Sequence, residues 1–300
     1  MELKLINTDL VKLDLSDRIN TLKDNVYAEN TVKAYNFDIK LFQYFCLEYS
    51  LPENENSFFL YLTALSNTHS YNSIERKASS INHIIKADPY NLKQFLRSTK
   101  RTLLNEGKWT KQASAILLTD LEFLINQIDC STLPGLRNKT MMLLMFFGAF
   151  RISELLALRF EDIKIDSDGL VINIERSKTD QFGKGMYKYI PLRSKLCAYS
   201  AFLSYLSFFE QKTGLICRQI KKGSKVQDNA ISYQAFNKIL KTLDYRLSSH
   251  SFRAGFVTQC AINGASISDI QNQTGQKSAN TVLRYTRTIS IKNNNSVNNL

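Results

Sequence analysis

His250 and Arg253 stand three residues apart, a Gly275-Gln276 step follows 25 residues after His250, and Tyr285 is flanked by Arg284 and Arg287. A histidine and an arginine leading to a tyrosine is equipment for work on a phosphodiester. Cleaving that bond needs a nucleophile in line with the leaving oxygen, cations or donors around the non-bridging oxygens, and a proton donor for the departing alkoxide. Tyrosine can be a covalent nucleophile, which nominates Tyr285. Arginine's planar fork pairs two phosphate oxygens and keeps its charge, and Arg151 and Arg253 are the natural pair. Histidine and lysine handle protons near neutral pH when their surroundings tune them, which nominates His250 and Lys178.

Taken singly, each nominee has a plainer explanation. An H-x-x-R spacing recurs by chance in chains of this size. Among fourteen tyrosines, any one can be a packed or surface residue, and Lys178-Thr179 in a turn is ordinarily solvated. Arg151 can pair with Glu154 across one helical turn, an interaction worth roughly 0.3 kcal/mol on a surface. The joint order and context of these residues are what lift the set.

The elements that would position them are mostly helices. Val32, Tyr35, Ile39, Phe42, Phe45 and Tyr49 recur at helical spacing from Asn30 to Tyr49. A second pattern through Ile74, Ala78, Ile81 and Ile85 stops at Asp88-Pro89. Shorter helices fit Phe58 to Leu65 and Leu92 to Leu104, so residues 10–105 are expected to form a small helical domain. Asn105-Glu106-Gly107-Lys108 breaks the pattern and suits a linker. Beyond it, Thr119-Asp120-Leu121-Glu122 has capping-box spacing and predicts a helix start. The apolar run Met141 to Phe150 predicts a buried core helix ending at Arg151, with a short helix through Leu155 and Leu158 after it. Leu170 to Glu175 and Tyr187 to Pro191 are the convincing strands, a hairpin with Lys178 where the first strand gives way to the loop. Helices are predicted over Leu196 to Phe209, Ser232 to Leu243 and Phe252 to Asn263. Ser266 and Ser278 are available to cap two more, the second carrying Tyr285. The expected fold class is mainly α with a small antiparallel β-sheet in the C-terminal domain, residues 111–290, before a disordered tail at 291–300.

A net charge of +12 and a pI near 9.4 fit a polyanionic partner, either nucleic acid or an acidic membrane surface. Two basic stretches stand out: Lys93, Arg97, Lys100, Arg101, Lys108 and Lys111 around the linker, and Arg218, Lys221 and Lys222 later on. Each is a solvated face or a strap along a phosphate backbone. The longest apolar run is too short to span a bilayer, and the N-terminus lacks the layout of a secretory leader, so a cytoplasmic protein is expected. Five scattered cysteines without CxxC spacing indicate neither a disulfide framework nor a zinc site.

The sequence resembles the tyrosine recombinase, or phage integrase, family. GAFRISELLALRFEDI (Gly148 to Ile163) is similar to that family's first arginine block, ERSKTDQFGKGMYKYIPL (Glu175 to Leu192) to its lysine hairpin, and SHSFRAGFVTQCAINGASISDIQNQTGQKSANTVLRYTR (Ser249 to Arg287) to its second arginine and tyrosine blocks. The H-S-x-R form with S-K-T leans toward the Cre-like and Xer-like members. The resemblance implies a two-domain DNA clamp, a helical core-binding domain followed by a catalytic domain. It implies that Tyr285 attacks the scissile phosphate to give a 3′-phosphotyrosyl link, that Arg151 and Arg253 hold the non-bridging oxygens, that Lys178 protonates the leaving 5′-oxygen, and that His250 assists proton transfer. Glu154 matches the supporting acidic position. No metal or nucleotide cofactor is expected, because the covalent link retains the bond energy for religation. The expected partners are duplex DNA bearing an inverted repeat and further copies of the chain, two per site and four in synapsis, with Arg284 and Arg287 among the DNA contacts. Gln276 departs from the family's histidine or tryptophan; glutamine can donate to a phosphate oxygen but cannot titrate. A type IB topoisomerase-like enzyme and a cleavage-deficient DNA-binding relative are the alternatives.

Overall fold

The computed structural model describes residues 29–108, 114–174, 185–280 and 282–283. The chain divides into two units, Met1–Lys111 and Gln112–Leu300.

Among the described residues the first unit contains four helices, α1 (Glu29–Glu48), α2 (Glu55–Ser66), α3 (Tyr71–Ile85) and α4 (Pro89–Asn105). The side chains of Asn54, Ser70 and Asp88 cap α2, α3 and α4 by accepting a backbone N–H three residues on. Helix α3 stops at Ile85, with Lys86 left-handed at φ +53, ahead of the expected Asp88-Pro89 step, and the proline then opens α4 from its first turn, where its missing N–H costs nothing. Phe42, Phe58, Leu62, Ile74 and Ile81 form a core with no exposure. Within it Asp38 of α1 is fully buried, accepting from Arg76, from Lys77 at 2.9 Å and from Ser80 at 3.0 Å, all on α3. Lys93, Arg97, Lys100 and Arg101 are exposed on α4, the first three at spacings of four and three that put them in one stripe. Lys108 is also exposed and pairs with Glu106 at 2.7 Å. Lys111 lies outside the described residues.

The second unit runs α5 (Leu118–Asn126), α6 (Leu133–Phe147), α7 (Ile152–Ala157), a 3-10 turn (Phe160–Asp162), β1 (Ile163–Asp166), β2 (Gly169–Ile174), β3 (Met186–Pro191), α8 (Ala198–Leu206), β4 (Arg218–Lys221), β5 (Lys225–Ala230), α9 (Tyr233–Leu243), α10 (Ser249–Ile262) and α11 (Ile267–Thr274). Met141 to Phe146 are all buried, as an all-apolar segment requires, and α6 packs against α8 and α10. The three-stranded sheet has the order β1-β2-β3, antiparallel throughout.

Several boundaries differ from expectation. The capping box sits two residues early: the Asp120 carboxylate accepts from Leu117 N at 2.9 Å, so α5 starts at Leu118 and Thr119 lies inside it. Strand β1 was not foreseen, since Ile163-Lys164-Ile165-Asp166 is short and follows a helical pattern. The stretch that carries Arg218, Lys221 and Lys222 forms the β4–β5 hairpin, which was not foreseen; its turn carries Gly223 with φ +76, and its strands hold too few apolar residues to alternate visibly. The outcome is a mainly α chain with small antiparallel sheets. No helix among the described residues is long and apolar enough to cross a membrane.

Candidate active site

Gly148, Ala149, Phe150 and Arg151 turn the chain from α6 into α7. Ala149 adopts φ +46, a left-handed conformation costing a β-carbon residue about 1 kcal/mol. That conformation has a use: the Ala149 carbonyl accepts from Arg253 Nη1 at 2.5 Å. Arg151 is the N-cap of α7, and Glu154 three residues on holds it twice. One carboxylate oxygen accepts from the Arg151 backbone N–H at 2.9 Å and the other from Nη1 at 2.5 Å. The pair is no surface bridge, for the two side chains are 18% and 4% exposed. Arg253, in the middle of α10, is buried, and its Nη2 donates to the Thr274 carbonyl at 2.6 Å, at the end of α11. His250, one helical turn before Arg253, is exposed.

Helix α11 ends in Gly275 at φ +67, where an added Cβ would meet Met186 Sδ at 2.9 Å. The next residue is Gln276, half-buried, with its carbonyl accepting from Gln271 Nε2 at 2.9 Å. Gln273 ties the same turn to its surroundings by donating to the carbonyls of Phe147 at 2.8 Å and Tyr189 at 3.1 Å.

A further cation enters here that sequence reading did not nominate. Lys188 of β3 is 1% exposed, its Nζ donates to the Gln273 carbonyl, and it stands 5.1 Å from the centre of the Phe150 ring. Burial pushes its ammonium down to about 7; Arg253 and Arg151 push the same way, and Glu154 opposes them. The available signal was parity, since Lys188 shares a strand face with Met186 and Ile190 while Tyr187 and Tyr189 point the other way.

Among the described residues, Arg151, Glu154, Lys188 and Arg253 thus form one charged cluster beside the Gly275-Gln276 turn, three basic side chains against one carboxylate. Such a site attracts an anion with several oxygens. Lys178, Arg284, Tyr285 and Arg287 lie outside the described residues. Val282, just before them, is fully buried with Val257 of α10 and Ile270 of α11. Of the basic residues expected on DNA, Lys221 and Lys222 are exposed. Arg218 is turned inward instead: it donates to the carbonyls of Leu215, at 2.9 Å, and of Thr213, and lies over the rings of Phe160 and Phe209.

Residues 119–290 match the phage integrase family. A protein of Selenomonas ruminantium named integrase/recombinase xerD homolog is 28% identical over 316 aligned positions, covering 99% of this chain and 92% of that one. Tyrosine recombinase XerC of Myxococcus xanthus is 27% identical over 280 positions, covering 87% of each. Among solved structures, the Tn1549 transposon integrase in complex with transposon right end DNA aligns with a TM-score of 0.56 at 13% identity, over 89% of this chain and 92% of that one. The XerH site-specific recombinase in its post-cleavage complex with a palindromic difH substrate aligns at 0.52 and 16%, over 78% and 69%. The motif blocks, the clustered arginines and the family match agree: the chain belongs to the phage integrase family of tyrosine recombinases.

Proposed function

We propose that this recombinase cleaves and rejoins duplex DNA at a specific inverted-repeat site through a 3′-phosphotyrosyl link to Tyr285. The observation that carries the reading is the convergence of Arg151 and Arg253, from different elements, on one buried cluster whose cations outnumber its carboxylate. In this reading the two guanidinium groups hold the non-bridging oxygens, Gln276 donates a further hydrogen bond, His250 assists proton transfer at the tyrosine, and Lys178 protonates the leaving 5′-oxygen. Glu154 orients Arg151. Residues 10–105 act as the core-binding domain and 111–290 as the catalytic one, and the exposed stripe of Lys93, Arg97 and Lys100 runs along DNA phosphates. The chain works in the cytoplasm, two copies per site and four in synapsis. The names of the relatives and the DNA in the structural neighbours support this reading.

Its test is a nicked suicide duplex carrying an inverted repeat of roughly a dozen base pairs per arm, since dimeric binders mirror their symmetry in the site. The native protein is expected to form a covalent adduct that survives denaturant, and Tyr285→Phe to form none. Binding of the duplex without any adduct would assign the chain to the cleavage-deficient relatives. Relaxation of supercoiled DNA lacking the repeat would assign it to topoisomerase-like chemistry.

A further inference from the structure

We propose that Lys188 is a positioning residue for strand cleavage, holding the C-terminal end of α11, and with it Gln276, in register with Arg151 and Arg253. The inference deepens the function proposed above and rests on it.

Three observations carry it. Lys188 occupies an inward position of β3, opposite Ile172, which is itself fully buried. An ammonium there, beside two guanidinium groups, works against folding, and a hydrophobic side chain of similar volume would be neutral or stabilising. Its presence therefore calls for a role other than stability. Secondly, the last carbonyls of a helix have no partner within it and carry the negative end of its dipole. In α11 the Gln273 carbonyl is met by Lys188 and the Thr274 carbonyl by Arg253, so two cations from two different elements fasten consecutive peptide groups. Gly275 then reverses the chain, and Gln276 follows directly. Thirdly, Lys188 touches each part of the site: the Phe150 ring before Arg151, the α11 end, and through charge Arg151, Glu154 and Arg253.

Loss of the ammonium would release the Gln273 carbonyl and let the α11 end drift relative to Arg253. A misplacement of about 1 Å in a site of this kind costs on the order of 10²-fold in rate. Among the described residues, the charged groups that face Lys188 are Glu154 and Arg151 from the α6–α7 corner and Arg253 from α10, while α11 presents a carbonyl and β2 an isoleucine. Because burial keeps its proton labile near neutrality, with a pKa of about 7, the contribution is largest in mild acid and declines as the pH rises.

The experiment compares single-turnover cleavage of the suicide duplex by the native chain, Lys188→Met and Lys188→Gln, with DNA binding measured in parallel on Tyr285→Phe versions. Lys188→Met is expected to cleave on the order of 10²-fold more slowly while binding DNA within a few-fold of native. Lys188→Gln, which keeps a donor for the Gln273 carbonyl, is expected to fall between the two. The ratio of native to Lys188→Met rates should shrink between about pH 6 and about pH 9 as the native lysine loses its proton; taking the ratio removes titrations shared by both proteins. Either variant cleaving at the native rate would overturn the proposal, as would a rate ratio unchanged across that pH range, which is the mark of a purely structural residue. Should Lys188→Met fail to fold, the inference also falls, because it requires that the lysine oppose stability. Absence of an adduct from the native protein would instead sink the underlying reading of Tyr285.

Discussion

Gln276 lies one residue past the left-handed Gly275, and its Oε1 is 3.3 Å from the Thr274 hydroxyl, whose hydrogen is taken by the Ile270 carbonyl at 2.7 Å. The glutamine amide can donate to a phosphate oxygen but cannot share a proton as an imidazole does. Replacing it by histidine is expected to raise single-turnover cleavage by about tenfold, toward the gain that general acid–base groups provide. An unchanged rate would show that donation alone suffices at this position. The residues that announce themselves by chemistry were legible before the fold: Arg151 and Arg253 are brought together as their types suggested, with Glu154, which the family resemblance supplied, beside them. Lys188 was not, because a lysine between two tyrosines reads as an outward residue. Its parity with Met186 and Ile190 pointed inward, and the pairing of β3 with β2, which sets it opposite the buried Ile172, establishes it.

The helix that carries both His250 and Arg253 is set in place by a close backbone approach. A Cβ on Gly255 would lie 1.9 Å from the Ile116 carbonyl oxygen, and that segment is fastened to α10 by the bond from Ile116 N to the Ser251 carbonyl at 3.2 Å. Gly255→Ala is therefore expected to destabilise the second unit by about 3 kcal/mol, at the upper end for overpacking, and to lower cleavage with it. Urea unfolding of native and variant protein measures the first effect; an unshifted midpoint would mean the segment yields freely. Helices were the more legible elements. Ser266 caps α11 as expected, and Ser232, expected as the first residue of a helix, caps α9, because a hydroxyl before an apolar period states a helix start locally. The β4–β5 hairpin is held by cross-strand pairing between residues whose side chains are mostly polar, and such pairing leaves little trace in hydrophobic periodicity.

Across the whole chain, a net charge of +12 sits on two units that each have their own buried core. The first core contains the buried Asp38 with Arg76, Lys77 and Ser80, a network whose partial removal strands a charge. Asp38→Ala leaves the buried Lys77 without its carboxylate and is expected to cost the first unit about 3–5 kcal/mol. Hydrogen exchange should speed up in α1 and α3, with α6 and α10 keeping their protection. Uniform loss of protection would show that the two cores do not hold independently.

Two of the site's cations, Arg253 and Lys188, are anchored on main-chain oxygens, those of Ala149, Gln273 and Thr274. A carbonyl is supplied by every residue type, so the anchorage is indifferent to the side chains that happen to occupy those three positions as long as the backbone follows the same path. The footing of these two cations can therefore outlast changes of side chain beneath it, whereas Arg151 depends on the carboxylate of Glu154.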